Sequence, residues 1–230
     1  INKEMSKIFL EKNKNGLVVW GGPNFPADVD SQKVFFTKFP QVDIYVPIEG
    51  EIGFSNIVKQ ILALNSFDDL RKNIISESVP GCIIKSNDGE LHFTLALDRI
   101  ESLDEIPSPY LTGILDECFD ERLAPMIQTN RGCPFSCTFC VDGSDSVRMI
   151  NEFSVQRVDD ELNYIAKHVP KNQHNLHISD LNFGMYTRDI EVCDSINGIQ
   201  KKYGYPHYVK ITSGKNNPER IGKAIKKLGN

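Results

Sequence analysis

The apolar residues of this chain fall into two rhythms, and the change from one to the other marks its elements. Leu17-Val18-Val19-Trp20 is a continuous apolar run closed by Gly21-Gly22-Pro23, and Val42-Asp43-Ile44-Tyr45-Val46 is a second run that stops at Pro47. Both read as buried strands, because short apolar runs bounded by turn residues suit a sheet with covered faces. Between Gly53 and Leu64 the spacing widens: Phe54, Ile57, Val58, Ile61 and Leu62 recur at helical intervals and predict an amphipathic helix. Ser66 with Asp69 three residues on reads as a capping signal for a second helix carrying Leu70, Ile74 and Ile75. From Cys82 to Thr94 the residues alternate about Asn87-Asp88-Gly89, whose Asp-Gly pair supplies the positive φ of a tight turn, so a hairpin is expected.

Asp104-Glu105-Ile106-Pro107-Ser108-Pro109-Tyr110 resists regular structure through its two prolines. Residues 76–122 therefore read as a connector with a hairpin, between a first domain over 1–75 and a second over 123–230. In the second, strand, loop and helix repeat. Strands are expected at Pro125 to Thr129, Leu176 to Ser179 and Tyr208 to Thr212. One helix presents Val158, Leu162, Ile165 and Val169 on one face, the next Ile190, Cys193, Ile196 and Ile199, and Pro218 after Asn217 opens a third. Three successive βα units imply a parallel sheet, in which chemistry collects in loops at the carboxyl ends of the strands.

Composition narrows the class without redirecting it. The 230 residues are 40% hydrophobic and 25% charged, an ordinary globular balance, and no apolar run approaches a membrane span. Ile1-Asn2-Lys3-Glu4 offers neither an initiator Met nor the apolar core of a secretory signal, so a cytoplasmic fragment is expected. A net charge of -5, with lysines scattered or set on helix faces such as Lys223, Lys226 and Lys227, argues against a nucleic-acid partner.

Cysteine placement changes the picture. Cys133, Cys137 and Cys140 crowd into one stretch, Thr129-Asn130-Arg131-Gly132-Cys133-Pro134-Phe135-Ser136-Cys137-Thr138-Phe139-Cys140, directly after the first strand of the repeat. Cys82, Cys118 and Cys193 stand apart and read as buried small apolar residues. Clustering of this kind favours metal ligation over a disulfide framework, and there is no second cysteine pair to complete a zinc site. Three thiolates on one loop can serve three irons of a cubane and leave the fourth open to a substrate. His168, His174, His177 and His207 show no ligand spacing and read as structural.

The C-x3-C-x2-C stretch, with Ile106-Pro107-Ser108-Pro109-Tyr110 upstream, closely resembles the radical S-adenosylmethionine (SAM) superfamily, in particular its members with an N-terminal cobalamin-binding domain. Gly21-Gly22-Pro23, the run Val42 to Val46 and the pair Gly50-Glu51 fit the close of that domain. The resemblance implies an α/β protein: the C-terminal part of a Rossmann-like cobalamin-binding domain, then the first βα units of a radical SAM partial TIM barrel. It implies a 4Fe-4S cluster on Cys133, Cys137 and Cys140, with Phe139 near the SAM adenine. Asp180 and Asn182 would contact the methionine end of SAM and Ser213 would face the site, while Gly21 and Gly22 would touch cobalamin. From the residues alone, Gly21-Gly22 equally turns the chain after a strand, and Asp180 and Asn182 equally cap a loop.

The expected activity is reductive cleavage of SAM to a 5'-deoxyadenosyl radical acting on a small-molecule substrate. Its electron would come from a donor such as flavodoxin or ferredoxin, and its outcome would be methyl transfer, rearrangement or ring formation. The alternative is a non-catalytic iron-sulfur protein that carries electrons or serves structure. One departure stands out: the Asp-x-His-x-x-Gly motif that supplies cobalamin's lower histidine is absent, and His92 is the single histidine before residue 168. The chain is accordingly expected to be a piece cut from the parent at both ends.

Overall fold

In the computed structural model every residue is described except 69, 77, 96, 144–146 and 230. The chain divides into two units, Ile1–Arg99 and Ile100–Asn230. The residues expected to form a connector are shared between them, 76–99 in the first and 100–122 in the second.

The first unit runs α1 (Asn2–Lys12), β1 (Val19–Gly22), α2 (Val29–Lys38), β2 (Ile44–Pro47), α3 (Gly50–Leu62), α4 (Leu70–Ile75), β3 (Ile83–Lys85) and β4 (Leu91–Phe93). Its mixed sheet has the order β1-β2-β3-β4. β1 and β2 pair in parallel with Trp20 opposite Tyr45, and the hairpin β3–β4 adds antiparallel to β2. Period-two alternation divides β2 between two cores. Ile44 and Val46 pack with Ile57, Ile74, Ile75 and Ile84, while Tyr45 joins Phe36, Val42 and Ile83 on the other face. There the Tyr45 ring stacks on Phe25 at 3.9 Å.

Neither α1 nor α2 was anticipated. α1 buries none of its residues, so it lacks the apolar stripe that periodicity detects; α2 is capped by Asp28, which accepts a hydrogen bond from Ser31 N at 2.8 Å. α3 forms where expected, but its inward stripe is Gly53, Ile57 and Ile61, and Phe54, Val58 and Leu62 are exposed. The shift follows from Gly53: a Cβ there would collide with the Val46 side chain, so the helix lies against β2 through its glycine. Asp69, half of the expected cap of α4, lies outside the described residues. Ser66 Oγ does accept a hydrogen bond from the Asp68 N–H at 3.1 Å.

The second unit contains β5 (Met126–Ile127), β6 (Asn130–Arg131), β7 (Asn151–Glu152), α5 (Val155–His168), β8 (Asn175–Ile178), α6 (Asp189–Tyr203), β9 (Tyr208–Lys210) and α7 (Pro218–Leu228). β5, β8 and β9 form the expected parallel sheet, with β5 and β9 shorter than the apolar runs implied and β8 of the expected length but one residue earlier, and β6 and β7 make a separate antiparallel pair. α5 starts at Ser154, whose hydroxyl accepts from Arg157 N at 3.0 Å, and it buries Val158, Leu162 and Ile165. α6 stops at Gly204, which takes the left-handed conformation that favours glycine.

The proline-bearing stretch before β5 is part of this core, because Ile100, Leu103 and Tyr110 are buried in it. The Tyr110 hydroxyl donates to Met126 O at 2.8 Å and accepts from Met126 N at 3.0 Å, fixing the first strand. Cys82 and Cys193 are buried as expected, and burial pushes their thiols up to about 11 and about 12. Cys118 is instead exposed, because the single turn Asp116–Cys118 that carries it buries no residue. His174 stacks on His207 at 4.3 Å, and His168 on Tyr164 at 4.1 Å.

Candidate functional site

The cysteine stretch is a loop stapled at its base. Asn130 pairs with Glu152 and Arg131 with Asn151, so the β6–β7 ladder closes the chain on either side of it. Gly132 sits at φ +112, and a Cβ on it would run into the Met149 carbonyl; a residue other than glycine could not enter the loop this way. Beyond it Cys133 N donates to Val147 O at 2.9 Å. Two successive turns follow, Cys140 N to Cys137 O and Gly143 N to Cys140 O, both 3.1 Å, and Gly143 packs on the Cys137 backbone with no room for a side chain.

Cys133 is buried, whereas Cys137 and Cys140 are half-buried. The three sulfurs thus share one loop, although among the described residues no three His, Cys, Asp or Glu side chains are grouped as ligands for a metal ion. As a donor set, three thiols and no fourth ligand suit a cubane with one open iron. The Phe139 ring is 91% exposed.

The end of β8 faces this loop through two buried side chains. Asp180, 1% exposed, is fully engaged: its carboxylate accepts from Thr129 N at 2.7 Å, Asn130 N at 3.3 Å, Asn130 Nδ2 at 3.0 Å and the Thr129 hydroxyl. Desolvation raises its pKa, and those donors oppose the rise. Asn182, also 1% exposed, donates from Nδ2 to Cys133 Sγ at 3.3 Å, while its Oδ1 is buried without a partner among the described residues. The third strand's loop pairs Ser213 with Phe183 and leaves Ser213 exposed. Lys215 Nζ stands 5.3 Å from the centre of the Phe135 ring, so this loop too reaches the cysteine loop.

Sequence reasoning missed the residues that brace this arrangement. Arg188 donates to Thr129 O at 3.0 Å and to Phe153 O, and pairs with Glu152 at 3.3 Å, tying the segment between β5 and β6 to β7. Asp189 is buried; its Oδ2 accepts from Gly184 N at 2.8 Å and Tyr186 N at 2.9 Å, its Oδ1 has no partner among the described residues, and burial raises its pKa to about 6. The Arg188 contacts span residues far apart in sequence, and an Arg-Asp pair at the start of a helix carries no local signal of them.

In the first unit Gly21 and Gly22 have separate reasons to be glycine. A Cβ on Gly21 would stand 2.9 Å from Val46 O, whereas Gly22 needs its freedom at φ +110 to turn into Pro23. Gly21 also borders a cleft of about 770 Å³ lined by Trp20, Asn24, Phe35, Phe39 and Tyr45. Among the described residues no histidine lines that cleft, so it presents no imidazole ligand.

No family model matches the chain. It is 32% identical over 224 residues to the cobalamin-dependent radical SAM methyltransferase TokK of Streptomyces tokunonensis, covering 95% of this chain and 31% of that protein. Over 229 residues it is 30% identical to the 2-(S-pantetheinyl)-carbapenam-3-carboxylate methyltransferase of Streptantibioticus cattleyicolor, with the same coverage. This chain is related to known cobalamin-dependent radical SAM enzymes. It spans about a third of the length of those curated relatives.

Among solved structures, 97% of it superposes on the cobalamin-dependent SAM radical enzyme OxsB with aqua-cobalamin and SAM bound, at a TM-score of 0.61 and 21% identity, covering 31% of that chain. TsrM from Kitasatospora setae, with cobalamin and a 4Fe-4S cluster bound, matches 99% of it at 0.60 and 16% identity, covering 44% of that chain. The fold is α/β, with mixed and parallel sheets that resemble a Rossmann-like cobalamin domain and an open, unclosed radical SAM barrel. Among the described residues no helix is long and apolar enough to cross a membrane.

Proposed function

We propose that this chain is the cluster-bearing part of a cobalamin-dependent radical SAM enzyme whose outcome is methyl transfer to a small organic substrate. The observation that carries the reading is a stapled C-x3-C-x2-C loop at the carboxyl end of the first strand of a parallel sheet, where α/β folds of this kind place their chemistry. Cys133, Cys137 and Cys140 would hold a 4Fe-4S cluster. When bound, that cluster supplies the electron that cleaves SAM to a 5'-deoxyadenosyl radical.

The chain's own residues bind, orient and exclude water. Asn182 offers its unpartnered Oδ1 to the amino group of SAM. Asp180 is a positioning residue, because its carboxylate is spent on holding Thr129 and Asn130 at the entrance to the loop. Phe139 gives the adenine an exposed aromatic face, and Ser213 offers a hydroxyl from the third loop. Gly21 and Gly22 shape the edge of the aromatic cleft in the first unit, the surface assigned to cobalamin. A flavodoxin or ferredoxin would deliver the electron.

The test is anaerobic reconstitution with iron and sulfide, followed by electron paramagnetic resonance of the reduced protein with and without SAM. A 4Fe-4S signal that changes when SAM is added is expected, with 5'-deoxyadenosine formed by the parent protein. A cluster indifferent to SAM, or a zinc-loaded protein, would overturn the reading in favour of electron transfer or structure.

A further inference from the structure

Sulfur atoms in this protein meet two kinds of neighbour. Cys82 Sγ faces the carbonyl oxygen of Gly53 at 3.6 Å, and Cys140 Sγ faces Asp142 Oδ2 at 3.9 Å; in both a thiol proton is the donor and the oxygen accepts. Cys133 is the reverse, since its sulfur accepts from Asn182 Nδ2 at 3.3 Å. A neutral thiol is a weak acceptor, whereas a thiolate, free or bound to iron, takes an N–H readily. Both side chains are buried, Asn182 at 1% and Cys133 at 2% exposure, where a hydrogen bond is stronger than it would be in water. The Asn182 backbone is also held in place: its main-chain carbonyl accepts from Met185 N at 3.3 Å, and a Cβ on Gly214 would stand 3.1 Å from that oxygen.

We infer that Asn182 sets the reduction potential of the cluster by donating an N–H to the Cys133 ligand, in addition to any contact it makes with SAM. The inference rests on the cluster reading above. Reduction adds negative charge to the cluster and its sulfurs, so a donor aimed at one of them favours the reduced form and raises the potential. Asn182 is therefore a positioning and tuning residue for electron entry.

The test is a mediated redox titration of the reconstituted chain, following the signal of the reduced cluster, in wild type, Asn182→Ala and Asn182→Leu. Asn197→Ala serves as the control, since it removes an amide in the middle of α6 that, among the described residues, donates to Lys227 O near the end of α7. Loss of the donor is expected to shift the reduction equilibrium about tenfold toward the oxidised cluster, about 59 mV downward for a one-electron couple, with Asn197→Ala unmoved. Equal potentials in wild type and both Asn182 variants would overturn the inference and leave the cluster reading intact. A wild-type chain that assembles no cluster would overturn both.

Should the variants fail to assemble a cluster, wild type labelled with asparagine carrying ¹⁵N in its side-chain amide decides the matter. A nitrogen hyperfine coupling to the reduced cluster is expected, and its absence would overturn the inference.

Discussion

Each unit buries carboxylate groups beside a strand, and the two hold them by different means. In the first, Asp43 is fully buried and accepts from Arg71 Nε at 2.9 Å and Nη2 at 2.7 Å through one oxygen, and from Val18 N at 2.9 Å through the other. A cation therefore compensates it, and the ion pair pins α4 to the sheet. In the second, the hydrogen bonds of Asp180 and Asp189 come from backbone N–H groups and from the side chains of Thr129 and Asn130. Local dipoles satisfy Asp180 and one oxygen of Asp189, and what they fix is loop shape. A carboxylate held by a cation stabilises a fold; one held by loop dipoles dictates where a loop runs, and the second unit is where the cysteine loop must be positioned.

The comparison breaks most visibly at Asp180. Asp180→Ala strands four donors in a buried place and is expected to cost about 3 kcal/mol, read as a lower urea midpoint, with Asp180→Asn keeping part of that because it retains an acceptor. A cost below about 1 kcal/mol would mean that the network does not hold the loop. A smaller effect is expected from Arg71→Ala, about 2 kcal/mol, since Asp43 would lose its cation but keep Val18 N, and Arg71 is itself partly exposed. Adding Asp43→Asn should recover much of that loss, because the uncompensated charge goes with it. If the double variant is no better than Arg71→Ala, charge compensation is not what Arg71 provides.

The smallest effect sharpens the comparison through pH. Burial raises the Asp189 pKa to about 6, above its ordinary value, so the folded state holds this proton more tightly than the unfolded one. Its stabilising contribution is full below about pH 4 and is lost as pH rises through 6. Asp189→Asn removes that titration while leaving an acceptor for Gly184 N and Tyr186 N. The difference in melting temperature between variant and wild type should therefore grow in the variant's favour from pH 4 to pH 7. A difference that stays flat across that range would show that Asp189 does not titrate there.

Much of this was legible beforehand because the relevant signals are local. The three helices of the second unit announce themselves by apolar spacing, the β3–β4 hairpin by Asp88-Gly89, and the cysteine loop by its own spacing. What stayed hidden depends on distance along the chain or on brevity. β6 and β7 are two residues each, too short for any periodicity, and the partners of Asp180 lie about fifty residues upstream. α1 buries nothing, and the inward stripe of α3 was misplaced because a glycine, invisible to hydropathy, sets its contact with the sheet.

The double hydrogen bond between the Tyr110 hydroxyl and Met126 bears on where the chain may be cut. A shortened form beginning at residue 123, just ahead of the first strand, would discard Ile100, Leu103 and Tyr110 from the core and leave both backbone groups of Met126 without their partner. The stretch with two prolines is thus part of the core of the second unit. A shortened form that keeps this core intact therefore has to include Ile100, Leu103 and Tyr110.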